Sequence, residues 1–291
     1  MELIKIMDPS KLAPPKAANL LLKASELFIE AHGGDKFPVD IDIIAKGAAE
    51  LFNWKDPITD IKAVNLPNFE GMLATNDSKS KWMIAYNESL SSQGRIRFTK
   101  AHELGHYMMH RNMQTQFMCS KDDMLKFTDE KNIEAEADKF ASHLLMPIDD
   151  FRVQMNGEVN FDSLGHCADR YGVSLTAAVI KWLSYTEEKA VLIVSRDGFM
   201  DWAISSTPAK KSGAYFKTKN NVIEIPEKSL ALKEHSVKDK LGENIATKIW
   251  FPSADSNANL KEFKVHSEQY DCTLTLLILP KHIDCWANRK Y

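Results

Sequence analysis

No stretch of this 291-residue chain stays apolar for the roughly 20 residues that a membrane helix needs. Its longest apolar stretches are residues 190–194 and, interrupted by Thr275, 274–279. Residues 1–16 carry prolines and no continuous apolar segment, so no secretory signal is expected. Cysteine is scarce: Cys119, Cys167, Cys272 and Cys285 lie far apart and form no CxxC pair. That spacing excludes a zinc knuckle and a disulfide framework, and reduced thiols are expected instead. The charge balance is nearly even, −3 from 37 basic and 40 acidic residues. No whole-protein field is present for gripping nucleic acid or an anionic membrane. A soluble, cytoplasmic protein is the expectation.

What is present is enough apolar side chain for packed cores, 44% of residues against 26% charged, in a length of about two domains. The first half is helix-rich. Leu20, Leu21, Ala24, Leu27 and Phe28 recur at helical spacing after Pro14-Pro15, and Gly33-Gly34 ends the run. A second helix follows Pro38, with Asp40 or Asp42 as its cap and Ile43, Ile44, Ala48 and Leu51 inward. Residues 69–74 and 81–86 read as two strands joined at 76–78. Thr99 is expected to cap a helix running to about His110, and another helix spans about 130–145, ending before Pro147. Helices at 161–170 and 174–182, either side of Tyr171-Gly172-Val173, make a helix-turn-helix-like pair (about 161–184). Strands at 189–195 and 199–205 meet at Arg196-Asp197-Gly198, a hairpin signal, and a further strand covers 273–279. The fold class is α+β, with a helix-rich domain over residues 1–186 and a smaller α/β domain over 187–291.

The most informative residues are His102-Glu103-Leu104-Gly105-His106. On a helix, positions i and i+4 stand one above the other, so both imidazoles can share one metal ion. Glu103, one step round, can reach a water on that ion without coordinating it. The surrounding Phe98, Ala101, Leu104, Tyr107 and Met108 imply a buried helix, where two idle histidines would be costly. Imidazole nitrogen with a carboxylate suits Zn2+ and leaves a position open for water.

A third ligand is needed, and Glu134 and Asp138 share one face of the next helix. There Ala137 and Ala141 are small enough for close approach. Glu134 is the candidate ligand, weighed against an ordinary solvated acid, and Asp138 would hold the far nitrogen of a ligand histidine. Glu136, about 200° round, is expected to face solvent. His110 sits too far along for the same ion and reads as a hydrogen-bonding or rim residue, and His143 as structural. For Cys119 a plain loop or core cysteine is preferred over an inhibitory thiolate.

Residues 97–110 (RFTKAHELGHYMMH) and 134–147 (EAEADKFASHLLMP) resemble the signatures of the ImmA/IrrE family of metallo-endopeptidases. Pro38-Val39-Asp40-Ile41, Phe69-Glu70-Gly71-Met72-Leu73 and Tyr171-Gly172-Val173-Ser174 are similar too, so the resemblance covers roughly residues 35–185. It implies a zincin-like fold of gluzincin type. His102, His106 and Glu134 would be the metal ligands and Glu103 the catalytic base. Family members cut DNA-binding repressors of phage-like or stress operons, which releases transcription. A protein substrate of that kind is therefore implied, with Zn2+ as cofactor and Mn2+ as a substitute.

The strand at 81–86 would be the edge to which an extended substrate adds. Tyr107, Arg95 and Arg97 are all open as oxyanion stabilisers. The alternative is a DNA-binding or partner-binding regulator with a structural metal site. Its would-be recognition helix, residues 174–183, is too apolar and has one lysine, so direct nucleic-acid binding is not expected. In a third reading the C-terminal half senses a ligand or docks a partner.

Overall fold

Pro14 and Pro15 occupy the first turn of α1 (Pro14–His32), where a missing N–H has no intrahelical partner to lose. The structure is a computed structural model that describes residues 8–119, 133–234, 237–254 and 258–286. Ala17, Ala18, Leu21 and Leu22 form the buried face of α1, whereas Leu27 and Phe28 are half exposed. Asp40 caps α2 (Ile41–Phe52) by accepting a hydrogen bond from the Ile43 amide at 3.0 Å. Ile44, Ala45 and Ala48 face inward, and Ile43 points outward.

Four strands form the first sheet: β1 (Ile58–Val64), β2 (Gly71–Thr75), β3 (Trp82–Asn87) and β4 (Gln116–Cys119). Their order is β1-β3-β2-β4, with β1 parallel to β3 and the other pairs antiparallel. The β2–β3 pair corresponds to the two strands expected from sequence. However, β3 is not an edge. The unforeseen β1 pairs along its outer side, and the edge beside β2 is β4.

The helix α3 (Gln93–His110) begins six residues before Thr99. Ser92 is the cap, its hydroxyl accepting from the Arg95 amide, and Thr99 is a fully buried interior residue. Gly94 escaped sequence reading as a helical residue because its value is proximity. A Cβ there would lie 3.0 Å from the Ser174 amide nitrogen. Then follow α4 (Ile133–Leu145), α5 (Ile148–Gln154), α6 (Phe161–Tyr171) and α7 (Leu175–Leu183). The expected start of α4 at 130 lies outside the described residues.

The chain divides into two compact units, Met1–Val153 with Asp169–Ser174, and Gln154–Ala168 with Leu175–Tyr291. A break near residue 186 falls inside the second unit, because Ala178, Val179 and Trp182 of α7 are buried and the helix packs on the following strand, β5. That unit holds an antiparallel sheet of β5 (Lys189–Arg196), β6 (Phe199–Ser205), β7 (Glu243–Ala246), β8 (Asn259–Ser267) and β9 (Cys272–Leu279), in the order β6-β5-β9-β8-β7. The β5–β6 turn has Asp197 at φ +49° and Gly198 at φ +81°, the two left-handed positions that an Asp-Gly hairpin provides. The fold as a whole is α+β. Among the described residues, no helix is long and apolar enough to cross a membrane.

Lys181 on α7 is 2% exposed, and burial pushes its ammonium down to about 8 from the usual 10.5. Between those values the unfolded chain holds a proton that the folded one has released, so stability rises with pH through this window. Wild type should gain up to about 3 kcal/mol relative to Lys181→Met between pH 8 and 10.5. Urea unfolding of both proteins across that range checks it. Parallel pH curves would show an ordinary lysine.

Candidate metal centre

On α3, His102 and His106 stand one turn apart, both fully buried, with their Nε2 atoms 3.0 Å from each other. From α4, the Glu134 carboxylate reaches both rings, at 3.2 Å from His102 Nε2 and 3.4 Å from His106 Nε2. The helices can come this close because Gly105 faces Ala137. A Cβ on Gly105 would lie 3.1 Å from Phe140 Cδ1 and 3.2 Å from Ala137 Cα.

The fourth member is the cysteine for which a loop or core role was preferred over an inhibitory thiolate. Cys119, at the end of β4, places Sγ 3.0 Å from His102 Nε2 and 3.5 Å from His106 Nε2. The ligand atoms of His102, His106, Cys119 and Glu134 all lie within 4.8 Å of one another. The preference for a plain loop or core cysteine is therefore corrected. In β4 alternate residues face inward, so Phe117 and Cys119 both meet the histidines, Phe117 stacking on His106 with centroids 4.6 Å apart.

Each of the two histidines is oriented from behind. His102 Nδ1 bonds Asp138 Oδ1 at 2.8 Å. His106 Nδ1 meets His110 Nδ1 at 3.1 Å, and His110 Nε2 bonds Glu136 Oε2 at 3.0 Å. One tautomer assignment satisfies this second chain: His106 donates from Nδ1, His110 accepts there and donates from Nε2 to Glu136. The His106 Nε2 lone pair is then directed at the cluster, and the Asp138 bond at Nδ1 leaves His102 Nε2 as the nitrogen that would release its proton to an ion there. Glu136 thus does not simply face solvent. Helical spacing sets only its Cα–Cβ direction, and the remaining rotatable bonds carry the carboxylate to His110. His143 takes no part in the cluster, its Nδ1 donating to the Lys139 carbonyl.

Glu103 is fully buried, and among the described residues neither carboxylate oxygen meets the geometry of a hydrogen bond, although the Cys119 thiol lies near enough to draw its pKa down. Burial pushes its pKa up to about 7, against the opposing pull of His102. The absence of a side chain at Gly71 makes room for it, since a Cβ there would sit 2.4 Å from Glu103 Oε1. Around the histidines the charges are strongly coupled. Burial works against a charged His102, yet Asp138 and Glu134 push it up to about 10. Burial pushes His106 down to about 4, leaving its ring neutral. Burial raises the Glu134 carboxyl, but hydrogen bonds to both histidines outweigh it and hold the group far below the usual carboxylate range. The Cys119 thiol is pushed up by burial, with nearby Glu103 and Glu134 adding to the effect.

A divalent ion fits this cluster. Donor atoms around one tetrahedral zinc stand about 3.3–3.6 Å apart when metal–ligand bonds are about 2.0–2.3 Å long. The observed separations from the histidine nitrogens, 3.0–3.5 Å, are close to that. Borderline nitrogen, carboxylate and thiolate donors are also those that zinc selects.

None of the three oxyanion candidates is left idle. The Tyr107 hydroxyl donates to the Asp56 carbonyl at 2.9 Å, Arg97 donates to the Val39 carbonyl, and Arg95 pairs with Glu70.

Two histidines on one helix, a carboxylate from the next and a buried glutamate between them fit a metallopeptidase-like centre. Residues 59–183 match the Peptidase_M78 family, described as the IrrE N-terminal-like domain. No curated protein matches the chain.

Proposed function

We propose that the chain is a zinc-dependent endopeptidase that hydrolyses a peptide bond in a protein. The observation that carries this reading is the Glu103 carboxylate, fully buried with no geometric hydrogen bond among the described residues, beside a cluster of side chains that could hold a metal ion. An unpaired buried carboxylate costs free energy, and groups perturbed in this way concentrate at functional sites. His102, His106 and Glu134 would hold the ion, with Asp138 and the His110–Glu136 pair orienting the rings. A bound divalent ion supplies Lewis acidity, which acidifies water and polarises a carbonyl. Glu103 takes the proton from the attacking water and delivers it to the leaving amine, and a group titrating near neutrality can do both. An extended substrate would add to β4, the edge strand that carries Phe117 and Cys119 to the cluster, in place of β3.

The resemblance to the ImmA/IrrE family supports a cytoplasmic DNA-binding repressor of a phage-like or stress operon as the substrate. Under that reading the second unit is a regulatory, sensor-like domain. A second reading is favoured by Cys119. Four protein ligands make the closed set typical of a structural zinc site, as expected of a partner-binding or DNA-binding regulator.

Elemental analysis of purified wild type and Glu134→Ala tests the centre and reports whether the ion is zinc or manganese. About one ion per chain in wild type, lost in the variant, is the expected result for a single site of this kind. A folded wild type that takes up no added zinc would overturn the reading.

A further inference from the structure

We infer that Cys119 is a fourth protein ligand of the metal centre, and that its thiolate occupies the coordination position a hydrolytic site keeps open. The inference rests on the metallopeptidase reading and adds that the chain is latent while Cys119 is in place.

Three observations carry it. The first is placement: Sγ lies 3.0 and 3.5 Å from the two Nε2 atoms, no farther than Glu134 lies from them within a few tenths of an ångström. The second is backbone support. Gly71 of β2 is the ladder partner of Cys119, and the Glu70 amide donates to the Cys119 carbonyl at 2.9 Å, so the sulfur is held by the sheet. The third is enclosure. Cys119 is fully buried, and Phe117 two residues earlier covers His106 from the same strand face.

Chemically the step is simple. On metal binding the Cys119 S–H loses its proton to solvent, a sulfur lone pair forms the bond to the ion, and no oxidation occurs. Two imidazoles, a carboxylate and a thiolate would then make up the four-ligand set of a closed zinc site. Hydrolysis needs one of these positions for water. Cys119 is the member to leave, because Glu134 sits in the α4 helix whereas Cys119 ends a four-residue edge strand. Latency and substrate docking would therefore share β4.

The full chain loaded with Co2+ in place of zinc tests this without any substrate. Wild type should bind cobalt with a thiolate-to-metal charge-transfer band in the near ultraviolet. Cys119→Ala should lose the band and still bind cobalt, more weakly than wild type, through the three ligands that remain. Acetohydroxamate, a small chelating probe for an open position, should bind cobalt-loaded Cys119→Ala about tenfold or more tightly than wild type. Cobalt bound to wild type without the band would overturn the inference and leave the metal reading standing. A wild type that binds no cobalt and no zinc would overturn both. Equal acetohydroxamate affinity in the two proteins would overturn latency. Should Cys119→Ala not fold, the wild-type spectrum and Cys119→Ser decide the sulfur ligand.

Discussion

Glu103→Gln lowers peptide hydrolysis by roughly 10²–10⁴-fold, the span that a positioned general base supplies, while the metal content stays at the wild-type level. The amide has nearly the shape and volume of the carboxylate, so the packing around Gly71 and Thr99 is kept. It cannot accept a proton. The candidate metal-binding side chains are untouched, and among the described residues neither Glu103 oxygen has a geometric hydrogen bond for the exchange to break. Mass spectrometry of a peptide library, with elemental analysis of the same samples, gives both readouts. Undiminished cleavage would remove Glu103 from the mechanism. His106→Ala provides the contrast. It should lose the ion and some stability together, because metal-binding free energy is also folding free energy.

Gly71→Ala should be nearly as damaging, although Gly71 touches no metal ligand through a side chain of its own. The new methyl group would stand 2.4 Å from Glu103 Oε1 and 2.6 Å from Thr99 Cγ2. Neither neighbour is free to yield, since both are fully buried on α3. Either the carboxylate swings aside or β2 and α3 separate. A displacement of about 1 Å at a reacting group can cost around 100-fold in rate, and overpacking of this kind costs about 1–3 kcal/mol of stability. The signature that separates misplacement from collapse is a fall in kcat with metal stoichiometry unchanged. Wild-type turnover in Gly71→Ala would mean that Glu103 acts from another position, or does not act.

Much of the centre was legible because it is local. His102 and His106 need only helical spacing to converge, and Glu134 and Asp138 share a helix face by the same rule. The Asp197-Gly198 turn was equally plain, since its two left-handed residues are a chemical requirement of that hairpin. Other features were hidden for physical reasons. β1 is exposed at four of its seven positions, so it lacks the apolar alternation that marks a strand. Missing it made β3 look like an edge. β4 has only four residues, too few for a period to show. The start of α3 was placed too late because Gln93-Gly94-Arg95 reads as a loop until the packing of Gly94 is seen.

The sequence by itself determined the two helices of the centre and the facing of His102, His106, Glu134 and Asp138 along them. All of these follow from a repeat of 3.6 residues acting over one or two turns. Only the tertiary structure decided that Cys119 stands beside those side chains, that His110 and Glu136 back His106, and that Gly71 leaves room for Glu103. Each of these depends on which strands and helices pair across long separations. Side-chain period says which face a residue occupies, but not what that face will meet.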